Sequence, residues 1–261
     1  MGGYDTAPID HRRVPLLVLS RASAPMTFAQ RVSGAVSGPR ILRFLFVMGV
    51  ALAAVSIGWV ALYRFVPPPG TPLMLIRMAG GAGIDKSWRS LDGISPSLAQ
   101  AVIASEDTLF CSHAGFDWAS MRQAWQGNLA GGQLRGGSTI SMQTAKNAWL
   151  WQDRTYLRKG LEAWFTLWME LLWPKTRIME VYLNIIEWGD GIYGAEAASR
   201  TFFGKPAAAL NRREAALMAA VLPNPLRWSP AKPTRYIASR ANVIQQRMTT
   251  VGRDGLDACV G

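Results

Sequence analysis

The sequence predicts an all-α domain carried behind one N-terminal membrane-spanning helix. Three observations predict it. Residues 44–63 form a run of twenty without a charge, bounded by Arg43 and Arg64. Beyond that run, apolar residues recur at spacings of three and four, the period of a helix with one buried face. Alternating apolar and polar runs, which mark half-buried strands, are scarce in the same region.

Residues 1–43 are rich in Arg, Ser, Ala, Gly and Pro and show no sustained period apart from a short apolar run at 14–19. They read as a disordered basic tail. Six Arg face two Asp there, and such positive flanks stay on the cytoplasmic side. The span is expected over residues 44–66. At 1.5 Å per residue a twenty-residue helix covers about 30 Å, the thickness of a bilayer's hydrocarbon core. A buried core helix would keep a polar stripe, and this one has none; the run is too long for the apolar centre of a signal peptide. The chain is therefore expected to cross the cytoplasmic (inner) membrane once, with its N-terminus cytoplasmic and residues 67–261 outside. Pro67-Pro68-Pro69-Gly70 ends the helix as a stiff spacer.

Within residues 67–261, Ser95-Pro96 is a helix start, and Leu98, Ala101, Val102, Ser105 and Leu109 mark the face that follows. Trp118, Met121, Trp125 and Leu129 lie on one face of a second helix. A third is expected over 158–173, stopped by Pro174, a fourth over 176–188, followed by Gly189, and a fifth within 207–222, ended by Pro223.

Composition narrows the function class. With 49 % hydrophobic and 17 % charged residues, the chain is neither wholly disordered nor a coiled coil, and two Cys exclude a disulfide scaffold. The net charge of +11 points to an anionic partner: nucleic acid, a membrane surface or a phosphorylated substrate. The span disfavours nucleic acid, because it puts the basic domain outside the cytoplasm.

Five clusters could carry chemistry. Glu106, Asp107, His113 and Asp117 crowd into twelve residues; they read as a helix end entering a polar turn, or as a weak metal site lacking paired His or Cys. Gly136-Gly137-Ser138-Thr139 precedes a helix and offers N–H donors to an anion, without P-loop spacing. Arg158 and Glu162 can pair along a helix. Glu180, Asn184 and Glu187 share a helical face, followed by Gly189, Gly191 and Gly194. The last cluster is Glu214-Ala-Ala-Leu with Leu222-Pro223-Asn224-Pro225.

In order, these read ED..F..H.GFD, GGSTIS.Q..KN, RK..E, K..I.E.YLN....G.G..G...A...FFGK and E.A.L...LPNP. The succession resembles the peptidoglycan glycosyltransferases, the family 51 transglycosylases, over about residues 90–230, and within them the monofunctional membrane-anchored members. The length leaves no room for the transpeptidase half of the bifunctional ones. Ser229-Pro-Ala-Lys232 spells SxxK, but no KTG follows.

The resemblance implies a lysozyme-like fold, with a helical head and a small membrane-proximal jaw. It implies polymerisation of lipid II into β-1,4 glycan, with inversion at the donor anomeric carbon and release of undecaprenyl pyrophosphate. The partners implied are lipid II, the growing lipid-linked glycan chain and membrane lipid; protein partners in wall synthesis are left unnamed. By motif match Glu106 is the general base and Asp107 shapes its surroundings. Lys146, Arg154, Arg158 and Lys159 surround the donor pyrophosphate, and Ser138, Thr139 and Gln143 line the donor subsite. Glu162 is the family's second glutamate; it orients the basic residues, contacts the donor, binds a divalent cation (Mg or Mn) near the pyrophosphate, or forms a structural salt bridge. No metal ligand set is assigned. Met142 stands where the family usually has a first Gln, which weakens donor binding or is harmless if the side chain faces the core. The face Trp118–Met121–Trp125–Leu129 is expected to be partly lipid-facing. Cys111 and Cys259 are expected as free thiols. A lysozyme-like glycan hydrolase and a non-catalytic lipid II-binding scaffold are the competing readings; the GGST loop and the Lys146/Arg154/Arg158 set argue against the hydrolase.

Overall fold

A computed structural model describes residues 1–2, 38–129, 137–153 and 155–261. Residues 3–37 of the expected tail and Arg154 lie outside the described residues. Two compact units are present, Met1–Gly49 and Val50–Gly261. What is described of the first unit is chiefly the start of helix α1 (Gly38–Phe65), which takes in Arg40 and Arg43 ahead of the uncharged run. Among the described residues α1 is the one helix long and apolar enough to cross a membrane. It ends just before Pro67, as the missing N–H of proline requires.

The second unit holds the other described helices. In α2 (Pro72–Ala79) the Thr71 side chain accepts from the Met74 N–H, and Pro72 opens the first turn. α3 (Pro96–Glu106) starts at Ser95 as the sequence predicts. Its Leu98, Ala101, Val102, Ile103 and Ala104 are all buried, so this helix is apolar nearly all round and runs through the centre. α9 (Arg212–Val221) and α10 (Arg235–Arg253) pack against it and each other. Leu109, expected on its buried face, lies past its end and is exposed. On the other side, α5 (Ile140–Trp149) packs on α6 (Tyr156–Leu172) and α7 (Lys175–Ile185). α4 (Trp118–Leu129) and α8 (Ala195–Phe203) complete the described helices.

The fourth predicted helix is shorter than expected. It stops at Ile185, and Glu187–Gly189 forms strand β2 of a small sheet instead. β1 (Asp85–Lys86) runs parallel to β3 (Ile192–Tyr193), and β2 pairs with β3 antiparallel, with a bulge between Glu187 and Gly189. Gly191 makes the turn: its φ is 71°, and a Cβ there would sit 2.3 Å from the Gly83 carbonyl oxygen. Asn184 and Glu180 are scaffold. Asn184 accepts from the Arg89 N–H and donates to the Arg89 carbonyl, each at 2.8 Å, while Glu180 accepts from the Leu91 N–H at 3.1 Å.

The cysteines correct the expectation of free thiols: Cys111 and Cys259 form a disulfide with Cα atoms 5.5 Å apart. Nearness to the end of the sequence misled, because the turn after α10 folds back on α3. Gln100 Nε2 donates to Asp257 Oδ2 at 2.7 Å, which pins that turn. The bridge closes a loop with a sequence separation of 148. Loop-closure entropy for so long a loop predicts that Cys111→Ser with Cys259→Ser costs on the order of 2–5 kcal/mol. Denaturant melts of the oxidised protein and the double variant measure that difference.

Candidate active site

Glu106 is the last residue of α3, and Asp107 follows as its cap. The buried Asp107 carboxylate accepts from the Ile140 N–H at 3.0 Å and lies 2.9 Å from His113 Nε2. It thus fastens the end of α3 to the start of α5, an end that is electropositive. Thr139 caps α5: its hydroxyl accepts from the Met142 N–H at 3.1 Å and donates to the Gly115 carbonyl at 2.6 Å. Gly115 has φ 85°, and a Cβ would meet Thr166 Cγ2 at 2.8 Å, so the GFD of the first cluster needs its glycine. Asp107 and Thr139, both expected at the substrate, hold the first two clusters together and also line the smaller cavity beside Glu106.

Gln143, one turn into α5, donates from Nε2 to Glu106 Oε2 at 3.0 Å. The Tyr182 hydroxyl donates to Gln143 Oε1 at 3.2 Å, which fixes the direction of the amide. Burial raises the Glu106 carboxyl above its ordinary value; the Gln143 hydrogen bond and the charges of Arg240 and Lys146 oppose that rise. Burial lowers the Lys146 ammonium, while the Glu162 carboxylate acts the other way. A base works deprotonated and a phosphate-binding lysine works protonated. Activity is therefore expected to fall on the acid side at a pH above the ordinary glutamate value of 4.5, and on the alkaline side below the ordinary lysine value of 10.5. A pH profile of kcat/KM measures both limbs; an acid limb at or below 4.5 removes Glu106 as the base.

The basic set lies on α6. Glu162, 2 % exposed, accepts from both Arg158 Nη1 and Lys159 Nζ. Lys159 Nζ also reaches Ser138 Oγ at 3.4 Å, which ties the GGST loop to the same cluster. Arg158 is buried, and its Nε has no partner among the described residues. Lys146, Arg158, Lys159, Ser138 and Glu162 are thus brought together. A divalent cation finds no protein cage here: among the described residues no three of His, Cys, Asp and Glu converge, and Glu162 is already shared between two cations. Met142 is 1 % exposed, so the position that departs from the expected second motif faces the interior.

Two cavities flank the Glu106–Gln143 bond. One of about 210 Å³ is lined by Glu106, Asp117, Ser120, Ser138 and Arg247. The other, about 460 Å³, is lined by Gln143, Lys146, Tyr182 and Arg77, with apolar walls from Leu73, Ile76, Leu222 and Leu226. The sequence reading missed Tyr182, Arg77, Arg240 and Arg247. The last two are seven residues apart on α10, and that spacing on one helical face was the available signal. On α4, Trp118 is 67 % exposed and Ala124 is buried, whereas the side chains of Trp125 and Leu129 lie outside the described residues.

A family profile described as Transglycosylase matches residues 74–249, a stretch that contains every described site residue. The chain belongs to the transglycosylase family. Curated relatives agree along most of their length. A biosynthetic peptidoglycan transglycosylase of Rhodospirillum centenum is 60 % identical over 223 residues, 85 % of this chain and 96 % of that protein. Proteins of the same name from Caulobacter vibrioides and Pseudomonas aeruginosa are 52 % and 50 % identical; the alignments cover 85 % and 82 % of this chain and 97 % and 95 % of theirs. The mainly helical architecture of this transglycosylase fits the lysozyme-like fold expected from its motifs.

Proposed function

We propose that this transglycosylase polymerises lipid II into peptidoglycan glycan strands, with Glu106 as the general base. The observation that carries the assignment is the state of the three acids. Asp107 is held by His113 and a backbone N–H, and Glu162 by Arg158 and Lys159. Among the described residues Glu106 is hydrogen-bonded by the neutral Gln143 amide alone, and it faces a cavity. A glycoside hydrolase needs two working carboxylates across its bond; the further acid on this cavity, Asp117, accepts from Ser120, whose N–H lies at 2.9 Å, and this holds its carboxyl below the ordinary value, unlike Glu106.

One carboxylate suffices for a single displacement at a sugar pyrophosphate. The acceptor 4-hydroxyl oxygen forms a bond to the donor anomeric carbon, from the face opposite the leaving group, and its proton passes to Glu106. The bond from that carbon to the pyrophosphate oxygen breaks with its electron pair, and undecaprenyl pyrophosphate departs as an anion. Lys146, Arg158 and Lys159 face that charge; Arg supplies paired donors to phosphate oxygens and Lys a point charge. The larger cavity joins Lys146 to apolar walls, which suits a phosphate attached to a lipid.

The apolar α1 supports membrane anchoring, and the Cys111–Cys259 bridge supports an oxidising compartment for the domain, with the N-terminus cytoplasmic. The exposed Trp118 supports contact of α4 with lipid. Purified protein given lipid II is the test. Lengthening glycan is the expected product; fragmentation of finished polymer would establish the hydrolase, and binding without turnover the scaffold.

A further inference from the structure

A tether needs only apolar length, yet the outer end of α1 is built into the catalytic unit. Val60 and Tyr63 are 1 % and 7 % exposed, whereas Leu62 and Phe65 beside them are 53 % and 76 % exposed. The domain holds this face by polar contacts. Trp164 Nε1 donates to Ser56 Oγ at 3.1 Å and Trp173 Nε1 to the Val60 carbonyl at 2.9 Å. Arg177 donates from Nε and Nη2 to the Tyr63 carbonyl at 3.1 and 2.8 Å, satisfying an acceptor that the end of a helix leaves unpaired. Arg64 Nη1 returns a bond to the Leu172 carbonyl at 2.6 Å.

The Tyr63 ring stacks on Trp149, with centroids 6.0 Å apart and planes at 19°. Trp149 stacks in turn on Phe165 at 5.0 Å and 10°. Trp149 is the last residue of α5, three residues beyond Lys146 and six beyond Gln143. A helix moves as a rigid body over so short a length, and a hydrogen bond such as Gln143–Glu106 weakens within a shift of about 0.5 Å. We infer that Tyr63 is a positioning residue, through which the membrane span sets α5, and with it Gln143 and Lys146, against Glu106. The inference rests on the reading of the site given above.

The full-length protein, assayed on lipid II, provides the test. Tyr63→Leu keeps an apolar helix former in the span and removes the stacked ring; Tyr63→Phe keeps the ring. Tyr63→Leu is expected to lower kcat/KM about tenfold, and to move the acid limb of the pH profile to higher pH, since Glu106 loses the donor that opposes its raised pKa. Tyr63→Phe is expected to match the parent in both. An unmoved limb in Tyr63→Leu overturns the inference, whether the rate is unchanged or falls in step with the melting temperature. Glu106→Gln, measured alongside, keeps the two assignments apart. Parental activity there sinks the site itself, whereas an inactive Glu106→Gln with an unmoved Tyr63→Leu limb sinks only the role of Tyr63.

Discussion

Glu106→Gln is expected to lower glycan polymerisation by about 10²–10⁴-fold, the range set by a lost general base, while lipid II binding persists. The substitution keeps the shape of the side chain and leaves an oxygen to accept from Gln143 Nε2, so the end of α3 stays where Asp107 and Ile140 hold it. What disappears is the ability to take the proton of the incoming hydroxyl. The loss is expected in kcat with little change in KM, and the acid limb of the pH profile is expected to vanish with it. A variant that keeps parental kcat would show that another group, or water alone, removes the proton.

Glu162→Gln is the second large effect, and its origin differs. The carboxylate lies 2 % exposed between Arg158 and Lys159. Arg158 is itself only 8 % exposed, so a neutral amide leaves a buried guanidinium without its counter-ion. Breaking such a pair costs about 3–5 kcal/mol, which for a domain of this size lowers Tm on the order of 10 °C. Activity is expected to fall further than the folded fraction, on the order of 10²-fold in kcat/KM, because the two cations lose the group that aims them. Lys146 provides a third reading: Glu162 opposes the burial that lowers its pKa, so the alkaline limb is expected to move to lower pH. A loss of Tm with kcat/KM per folded molecule unchanged would leave Glu162 a purely structural acid.

What the sequence made legible was local. Ser95-Pro96, Pro174 and Pro223 punctuate helices through their own backbone chemistry, and the helices begin or stop near them. The strands were not legible, because two or three residues are too few to show a period, and Glu187 shares helical spacing with Glu180 and Asn184 up to the point where the chain turns extended. The order of the motifs brought forward most of the site residues, but their contacts are long-range. Gln143 meets Glu106 across 37 positions and Tyr182 meets Gln143 across 39, and no spacing rule reaches that far. The fastening roles of Asp107 and Thr139 were hidden for the same reason, since each depends on a partner in another cluster. Arg240 and Arg247 lie beyond the last motif, where the resemblance had ended.

The bridge between Cys111 and Cys259 also fixes an order of events in the making of the protein. Cys111 lies in the first of the five motifs and Cys259 follows the last along the chain. The sulfurs cannot meet until every intervening segment has been synthesised. Closure of the bond therefore records that all five motifs are in place, and the proportion of oxidised molecules in a culture would report how much of the enzyme has reached that stage.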